Sequence, residues 1–218
     1  MTEPGFVRDT RAAYDALAGD FAEWIRDELA SKPLDRAVLA AFAELADGPV
    51  ADVGCGSGRI TAYLRGLGVD ASGIDLSPEM IAVARRNHPG IRFEVGSMTA
   101  LDLPEGSLGG LVAWYSIIHV PPEALPAVLA GFRRVLAPGG YLQLAFQVGD
   151  DTVHRDEVGG HRVSLDFHPQ RVPEVAALLA EAGLQVRARL ERAPDEDGPF
   201  PETTPQAFVL ARRPAQRS

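Results

Sequence analysis

The 218-residue sequence contains a single cysteine, Cys55, and a single lysine, Lys32. One cysteine excludes an intrachain disulfide and any cysteine zinc cluster. A Schiff-base mechanism would have to run through Lys32, which sits beside Pro33 in a helix connection and is discounted there. The opening stretch MTEPGFVRDTRAAYD lacks the apolar core of a signal peptide. The longest apolar run, LGGLVAWYSIIHV, is too short and too rich in glycine to span a bilayer. A soluble, cytoplasmic protein with no membrane partner is therefore expected. Basic residues are also in deficit, 21 against 30 acidic ones, for a net charge of −9. That balance argues against nucleic acid as the main partner. None of this bears on the oligomeric state.

What is present is an ordinary globular composition, 46% apolar, in a chain long enough for one sizeable domain. Apolar residues Tyr14, Leu17, Phe21, Trp24, Ile25 and Leu29 recur at helical spacing between Arg11 and Leu29, with Gly19 a point of weakness or bending. A second helix fits Leu34 to Ala46. Strands are expected at Val50 to Val53, Val69 to Ile74, Ile91 to Val95, Gly110 to Tyr115 and Tyr141 to Phe146. Helices fall between them, one of them opened by Ser77-Pro78 as cap and first helical residue. Strands alternating with helices imply a parallel sheet covered on both faces.

The order changes after Gln147. Val153 to His168 reads as a hairpin around Gly159-Gly160, followed by a helix from Pro173 to Ala182 and two alternating strands, Leu184 to Leu190 and Gln206 to Ala211. Between those strands, PDEDGPFPETTP reads as a mobile loop. The arginines of QVRARLER read as a solvated sheet face. The expected fold is a doubly wound, Rossmann-like α/β sheet of about seven strands. It is mostly parallel with an antiparallel C-terminal strand, and the N-terminal helices and the hairpin after strand five cap it. One domain is expected over residues 1–218. Residues 1–48 would form a helical cap, 49–148 a cofactor-binding core, and 149–218 the hairpin and substrate-side strands.

The stretch VADVGCGSGRI, Val50 to Ile60, places a strand before a glycine-rich turn and a helix start. Glycines there permit unusual backbone angles and close approach of a ligand. Asp75 follows Asp52 by one βα unit, at the end of the second strand, where a carboxylate can accept hydrogen bonds from both hydroxyls of a ribose. The glycines run G-x-G-x-G over Gly54, Gly56 and Gly58, not the G-x-G-x-x-G of dinucleotide sites. Asp52 inside the strand is a second departure from that fingerprint. An acid beside the turn suits a ligand carrying an ammonium or sulfonium.

VADVGCGSGR resembles the first motif of the class I S-adenosylmethionine-dependent methyltransferases, and GIDLSPEMIAVAR resembles their second. GSMTALDLPEG, LVAWYSIIHV and VLAPGGYLQL resemble the third to fifth. The resemblance implies S-adenosylmethionine as cofactor, S-adenosylhomocysteine as its product, and a small-molecule methyl acceptor. By position, Gly54, Gly56 and Gly58, with Cys55 between, correspond to the turn beneath the methionine portion. Asp52 corresponds to the acid that orients that turn and the ammonium. Asp75 corresponds to the ribose ligand, with Leu76 and Met80 near the adenine. Ser97 and Met98 stand where the family often has an aspartate facing the adenine amino group. Trp114, Tyr115 and Ser116 fall at the fourth-strand exit, near the sulfonium. Tyr14 resembles a lid tyrosine that reaches the cofactor's carboxylate.

His119, just past that exit, either deprotonates the acceptor or braces the strand end. Cys55 is a small residue packed in a tight turn. His154, His161 and His168 read as a polar hairpin lining a substrate mouth, and no metal site is expected. Two other functions remain open: a non-catalytic binder of S-adenosylmethionine or S-adenosylhomocysteine, and a nicotinamide-dependent oxidoreductase.

Overall fold

The computed structural model describes residues 3–215. Among these residues are nine strands and seven α-helices, and from β1 to β5 strands alternate with helices or short turns as read in the sequence. β1 is Val50–Val53, β2 Ala71–Asp75, β3 Phe93–Val95, β4 Leu108–Trp114 and β5 Leu136–Gln147. β6 is Val153–Val158, β7 His161–Phe167, β8 Gln185–Arg192 and β9 Gln206–Arg212. The helices are α1 Gly5–Trp24, α2 Glu28–Ser31, α3 Pro33–Leu45, α4 Arg59–Gly66, α5 Pro78–Asn87, α6 Leu125–Val135 and α7 Val172–Glu181.

Seven strands form one sheet in the order β3-β2-β1-β4-β5-β9-β8. Strands β1 to β5 pair in parallel, while β9 runs antiparallel to both β5 and β8. Period-2 alternation sends successive side chains to opposite faces. Leu111, Ala113, Leu142, Leu144 and Val209 therefore pack under α6 and α7. Val50, Val112, Ala145 and Phe208 pack on the other face, with Leu39 and Phe42 of α3 and Ile60 and Leu64 of α4. The strand order reverses between β1 and β4, and a crevice opens at the carboxyl ends of strands at such a switch point.

α1 differs from the sequence reading. It starts at Gly5 and passes through Gly19 without a break. A Cβ at Gly19 would meet nothing within 4 Å, so no packing contact is lost there. The early start follows from burial: Val7 is covered and, with Phe6, lines the cavity that α1 roofs. The hairpin β6-β7 is a separate two-stranded sheet turned by Gly159 and Gly160, both at positive φ. Its β7 lies against α1.

The segment 193–205 is anchored instead of loose. Lys32 Nζ reaches Asp195 Oδ2 at 2.9 Å, the Phe200 carbonyl at 3.1 Å and Glu202 Oε1 at 3.1 Å. Arg192 completes the cluster with Glu202 and Asp35. One arginine of QVRARLER thus turns inward while Arg187 and Arg189 stay exposed. Lys32, buried and held by two carboxylates, is a structural cation.

Candidate functional site

A cavity lies over the carboxyl ends of β1, β2 and β4, roofed by α1. Its water-accessible volume is about 150 Å³, roughly ten times what one water molecule needs. Its floor is the glycine turn. Gly54, Gly56 and Gly58 all have positive φ, at 78°, 53° and 82°. A Cβ on Gly54 would fall 2.3 Å from Ser116 Cβ, so only glycine lets β1 and β4 exit side by side. A Cβ on Gly56 would meet nothing within 4 Å, which leaves that peptide open to the cavity.

Asp52 answers why a charge sits inside a buried strand. Its Oδ2 accepts from Thr61 Oγ1 at 2.7 Å, tying β1 to the helix beyond the turn. Its Oδ1 has no hydrogen-bond partner among the described residues. Burial raises its carboxyl to about 6; Asp75 pushes the same way, and Thr61 and Arg59 oppose. Asp75 spans the turn and the next helix. Its Oδ2 accepts from Gly56 N at 2.7 Å and its Oδ1 from Ser77 N at 2.8 Å. Burial raises this carboxyl too, against those bonds.

The roof is fastened on two sides. Tyr14 Oη lies 2.8 Å from His119 Nε2. Asp15 Oδ1 accepts from Ser77 Oγ at 2.5 Å, and Ser77 caps α5 through Met80 N. His161 Nε2 of β7 meets Asp20 Oδ2 of α1 at 2.8 Å. His119 Nδ1 lies 3.0 Å from the Asp166 carbonyl. A carbonyl only accepts, so Nδ1 carries the hydrogen and Nε2 accepts from Tyr14. Burial, with His168 adding, pushes His119 down to about 4. Burial, then Asp75, pushes the Tyr14 phenol well above its ordinary value.

The exit of β4 is bent sharply. Tyr115, at φ 52°, is the positive-φ non-glycine residue among those described. Ser116 Oγ then donates to the Val53 carbonyl at 2.7 Å. Ser97 caps the short 3₁₀ turn Met98–Ala100 and shares its hydroxyl with Thr99, so that side chain is already engaged.

Thirteen of the residues expected from the sequence line this one cavity: Tyr14, Asp52, Gly54, Cys55, Gly56, Asp75, Leu76, Ser97, Met98, Trp114, Tyr115, Ser116 and His119. Gly58 and Met80 do not. Gly58 caps α4 against the Phe93 ring, 2.6 Å from where its Cβ would be. Met80 is buried against Ala18 and Ala22 of α1. The Cys55 thiol is packed and pushed well up by burial, with Asp52 and Asp75 adding, which suits a packing residue. The hairpin histidines do not line the cavity. His154 pairs with Asp166 and Asp156, His161 with Asp20, and His168 with Thr152. Among the described residues no cluster of His, Cys, Asp and Glu could hold a metal ion.

The sequence reading missed the wall given by Phe6, Val7, Thr10 and Arg11, and also Arg59 and Val120. Extending the helical stripe of Tyr14 and Phe21 back one heptad reaches Val7, the one available signal.

Residues 50–140 match the family model described as a methyltransferase domain. A ubiquinone biosynthesis O-methyltransferase of Xanthomonas axonopodis pv. citri is 31% identical over 173 residues, 72% of this chain and 71% of that protein. Its counterpart in Xanthomonas euvesicatoria pv. vesicatoria is 32% identical over 159 residues, 66% of this chain and 65% of that protein. The chain spans 37% and 45% of two further curated relatives. Among solved structures, the 1,6-didemethyltoxoflavin-N1-methyltransferase of Burkholderia thailandensis, with S-adenosylhomocysteine bound, superposes with a TM-score of 0.74. It is 23% identical, and the match covers 98% of this chain and 92% of that one.

Proposed function

Because the chain belongs to the class I S-adenosylmethionine-dependent methyltransferases, we propose that it transfers the methyl group of S-adenosylmethionine to a small-molecule nucleophile. The observation that carries this reading is the pairing of Asp52 and Asp75 around an open glycine turn within one roofed cavity. The residues present fit such a cofactor. Asp52 Oδ1 is a buried acceptor awaiting a cationic donor. A carboxylate offers about four acceptor positions. Asp75 uses one on each oxygen for backbone N–H groups, which leaves acceptor capacity for a ribose. The Gly56 peptide is open to close approach. With Ser97 engaged locally, the adenine edge falls to the backbone around Met98.

S-adenosylmethionine, when bound, supplies a methyl group already activated by its sulfonium. The protein's share is then positioning and exclusion of water. Tyr115 and Ser116 shape the β4 exit, and α1 closes over it. His119 is proposed to brace the roof, not to serve as the general base. Its Nε2 already accepts from Tyr14, and burial pushes the imidazole down to about 4, which makes it a weak proton acceptor. The names of the relatives, an O-methyltransferase and an N1-methyltransferase, support a small acceptor and keep oxygen and nitrogen both open.

The reading is tested by thermal denaturation with ligands and by mass spectrometry of a metabolite pool incubated with labelled donor. S-adenosylmethionine and S-adenosylhomocysteine should raise the melting temperature, since a ligand of the folded state stabilises it. One pool compound should gain a labelled methyl. Stabilisation by NADH alone would overturn the reading. Stabilisation by the adenosyl ligands with no product from any pool would favour a non-catalytic binder.

Two expectations follow for single residues. His119→Asn leaves Tyr14 without its buried partner, a loss of about 1–3 kcal/mol in stability. Turnover at saturating substrate should stay within a few-fold of the parent. A fall of about 10²- to 10⁴-fold at unchanged cofactor affinity would instead make His119 the base.

Asp52 gives the second. Its ligand-free carboxyl titrates at about 6, and a bound ammonium favours the ionised form and lowers that value. Affinity is therefore full above about pH 7 and declines as pH falls through 6, approaching tenfold per unit. Calorimetry from pH 5 to 8 on the parent and Asp52→Asn checks this. Equal slopes in both would remove Asp52 from the cofactor's ammonium.

A further inference from the structure

Side chains of β4 alternate between the sheet faces: Ala113 packs under α6 and α7, while Val112 and Trp114 pack toward α3 and α4. Continued alternation would turn Tyr115 to the α6 face. The bend at φ 52° undoes that. Tyr115 N still donates to the Ala145 carbonyl at 2.9 Å, and the Tyr115 ring stands at 90° to that of Trp114, 5.9 Å away. The side chain touches both layers of the core and lines the cavity. Backbone strain of this kind persists only where the surroundings impose it, and it gathers at functional sites.

A buried ionic cluster lies on the side to which the bend brings the phenol. α3 buries Asp35, Leu39 and Phe42 on one stripe, and the last two pack with Trp114 and Phe208. Asp35 is 1% exposed. Its Oδ1 accepts from Arg192 Nη2 at 3.3 Å, and its Oδ2 has no hydrogen-bond partner among the described residues. A buried acceptor left open calls for an explanation. Two cations, Lys32 and Arg192, face three carboxylates, Asp35, Asp195 and Glu202, so the cluster carries one negative charge in excess. Glu28 is turned to Arg59 at 2.8 Å. Burial raises the Asp35 carboxyl to about 6, against Arg192 and with Glu28 and Glu202 adding. Burial, then Asp35, pushes the Tyr115 phenol well above its ordinary value.

The other candidate bases around the cavity are committed. His119 is on Tyr14, Asp52 on Thr61, and Asp75 on the Gly56 and Ser77 peptides. We propose that Tyr115 and Asp35 form a proton path for the methyl acceptor: the Tyr115 hydroxyl holds the nucleophilic atom, and Asp35 receives through it the proton that atom gives up. This rests on the methyl-transfer reading above and narrows the acceptor to an O–H or N–H nucleophile. As the nucleophile bonds to the methyl carbon, the carbon–sulfur bond breaks and its electron pair stays on sulfur. The nucleophile's proton passes to the Tyr115 oxygen, and the phenolic proton passes to Asp35 Oδ2, directly or across one water. The cluster thereby loses its excess charge, and Asp35 returns the proton to solvent between cycles. Tyr115 is the catalytic residue, and Asp35 acts through it.

The test uses the pool compound that gains the labelled methyl, supplied pure with saturating donor, and reads the first turnover by rapid quench. Tyr115→Phe and Asp35→Asn should each slow it about 10²-fold or more. The double variant should be no slower than the slower single one, since the two act as a unit. Calorimetry should find S-adenosylhomocysteine bound within about threefold of the parent. In the parent the first turnover falls below about pH 6, approaching tenfold per unit, as Asp35 takes up a proton. Asp35→Asn should lose that limb. The free protein gives a readout without any acceptor. A carboxyl raised by folding loses its stabilising contribution as pH rises through its folded value. From pH 5 to pH 8 the melting temperature of Asp35→Asn should therefore gain on that of the parent.

A Tyr115→Phe protein that turns over within a few-fold of the parent would overturn the path. So would an acid limb kept in Asp35→Asn, an unchanged melting difference across that pH range, or a labelled methyl on an atom that bore no hydrogen. No labelled product from any pool would remove the methyl-transfer reading itself, and the path with it. Should Asp35→Asn not fold, Tyr115→Phe and the parent's acid limb decide.

Discussion

Asp75→Ala should bind S-adenosylmethionine about a hundredfold or more weaker than the parent chain. A hydrogen bond to a charged acceptor contributes about 1.5–3 kcal/mol, and a ribose edge can donate two. Each 1.4 kcal/mol is about a factor of ten in affinity. The same carboxylate also holds Gly56 N and Ser77 N, so the variant should melt at a lower temperature as well. Asp75→Asn separates the two roles. It keeps one carbonyl acceptor and the side-chain volume, and should recover part of the stability but little of the affinity. An Asp75→Ala protein with parental affinity in calorimetry would remove the residue from the site.

Gly54→Ala should be the more damaging change to the fold. At φ 78° an L-residue is disfavoured by about 1–2 kcal/mol. The added methyl falls 2.3 Å from Ser116 Cβ and 2.9 Å from its Oγ. Ser116 cannot simply retreat, because its hydroxyl links the ends of β1 and β4 through the Val53 carbonyl. Overpacking of this kind costs about 1–3 kcal/mol more. The sum, about 2–5 kcal/mol, corresponds to a fall of roughly 5–20 °C in Tm for a chain of this size. Gly56→Ala is the control. It meets no atom within 4 Å, so at φ 53° it carries only the backbone penalty of about 1–2 kcal/mol. It should melt closer to the parent than Gly54→Ala and yet impede the ligand's approach to the turn. Thermal denaturation of the pair decides. A Gly54→Ala protein melting like the parent would show that β1 and β4 are not held so closely.

The strand-turn-helix from Val50 to Ile60 was legible because its signal is local: an apolar run, three glycines and a helix start within eleven residues. β1 fell on the residues expected. β5 did not. It begins at Leu136, through Pro138-Gly139-Gly140, which read as a helix stop. Gly140 lies within 3.1 Å of the Leu108 and Gly109 carbonyls at its absent Cβ, a closeness only the neighbouring strand explains. The roof was half legible. Tyr14 stood out by its stripe, but its partner His119 is 105 residues away. Nothing near either residue announces the other. Val7 stands in a charged N-terminal stretch, and its burial comes from the cavity wall it helps to form. Arg192 has the same local setting as Arg187 and Arg189. It turns inward because Asp35 and Glu202, from distant segments, wait beneath it.

Adjacent residues Tyr14 and Asp15 fasten α1 to opposite banks of the cavity, one to the β4 side through His119 and one to the β2 side through Ser77. A nucleoside entering or leaving the cavity meets α1 held at both banks. Exchange of spent cofactor for fresh is then expected to depend on how often the two let go together. A rapid first cycle followed by a slower steady rate, read by rapid quench, would show that departure of S-adenosylhomocysteine limits turnover; a single steady rate from the first cycle would show that it does not. Loosening either fastening trades tighter retention for faster exchange.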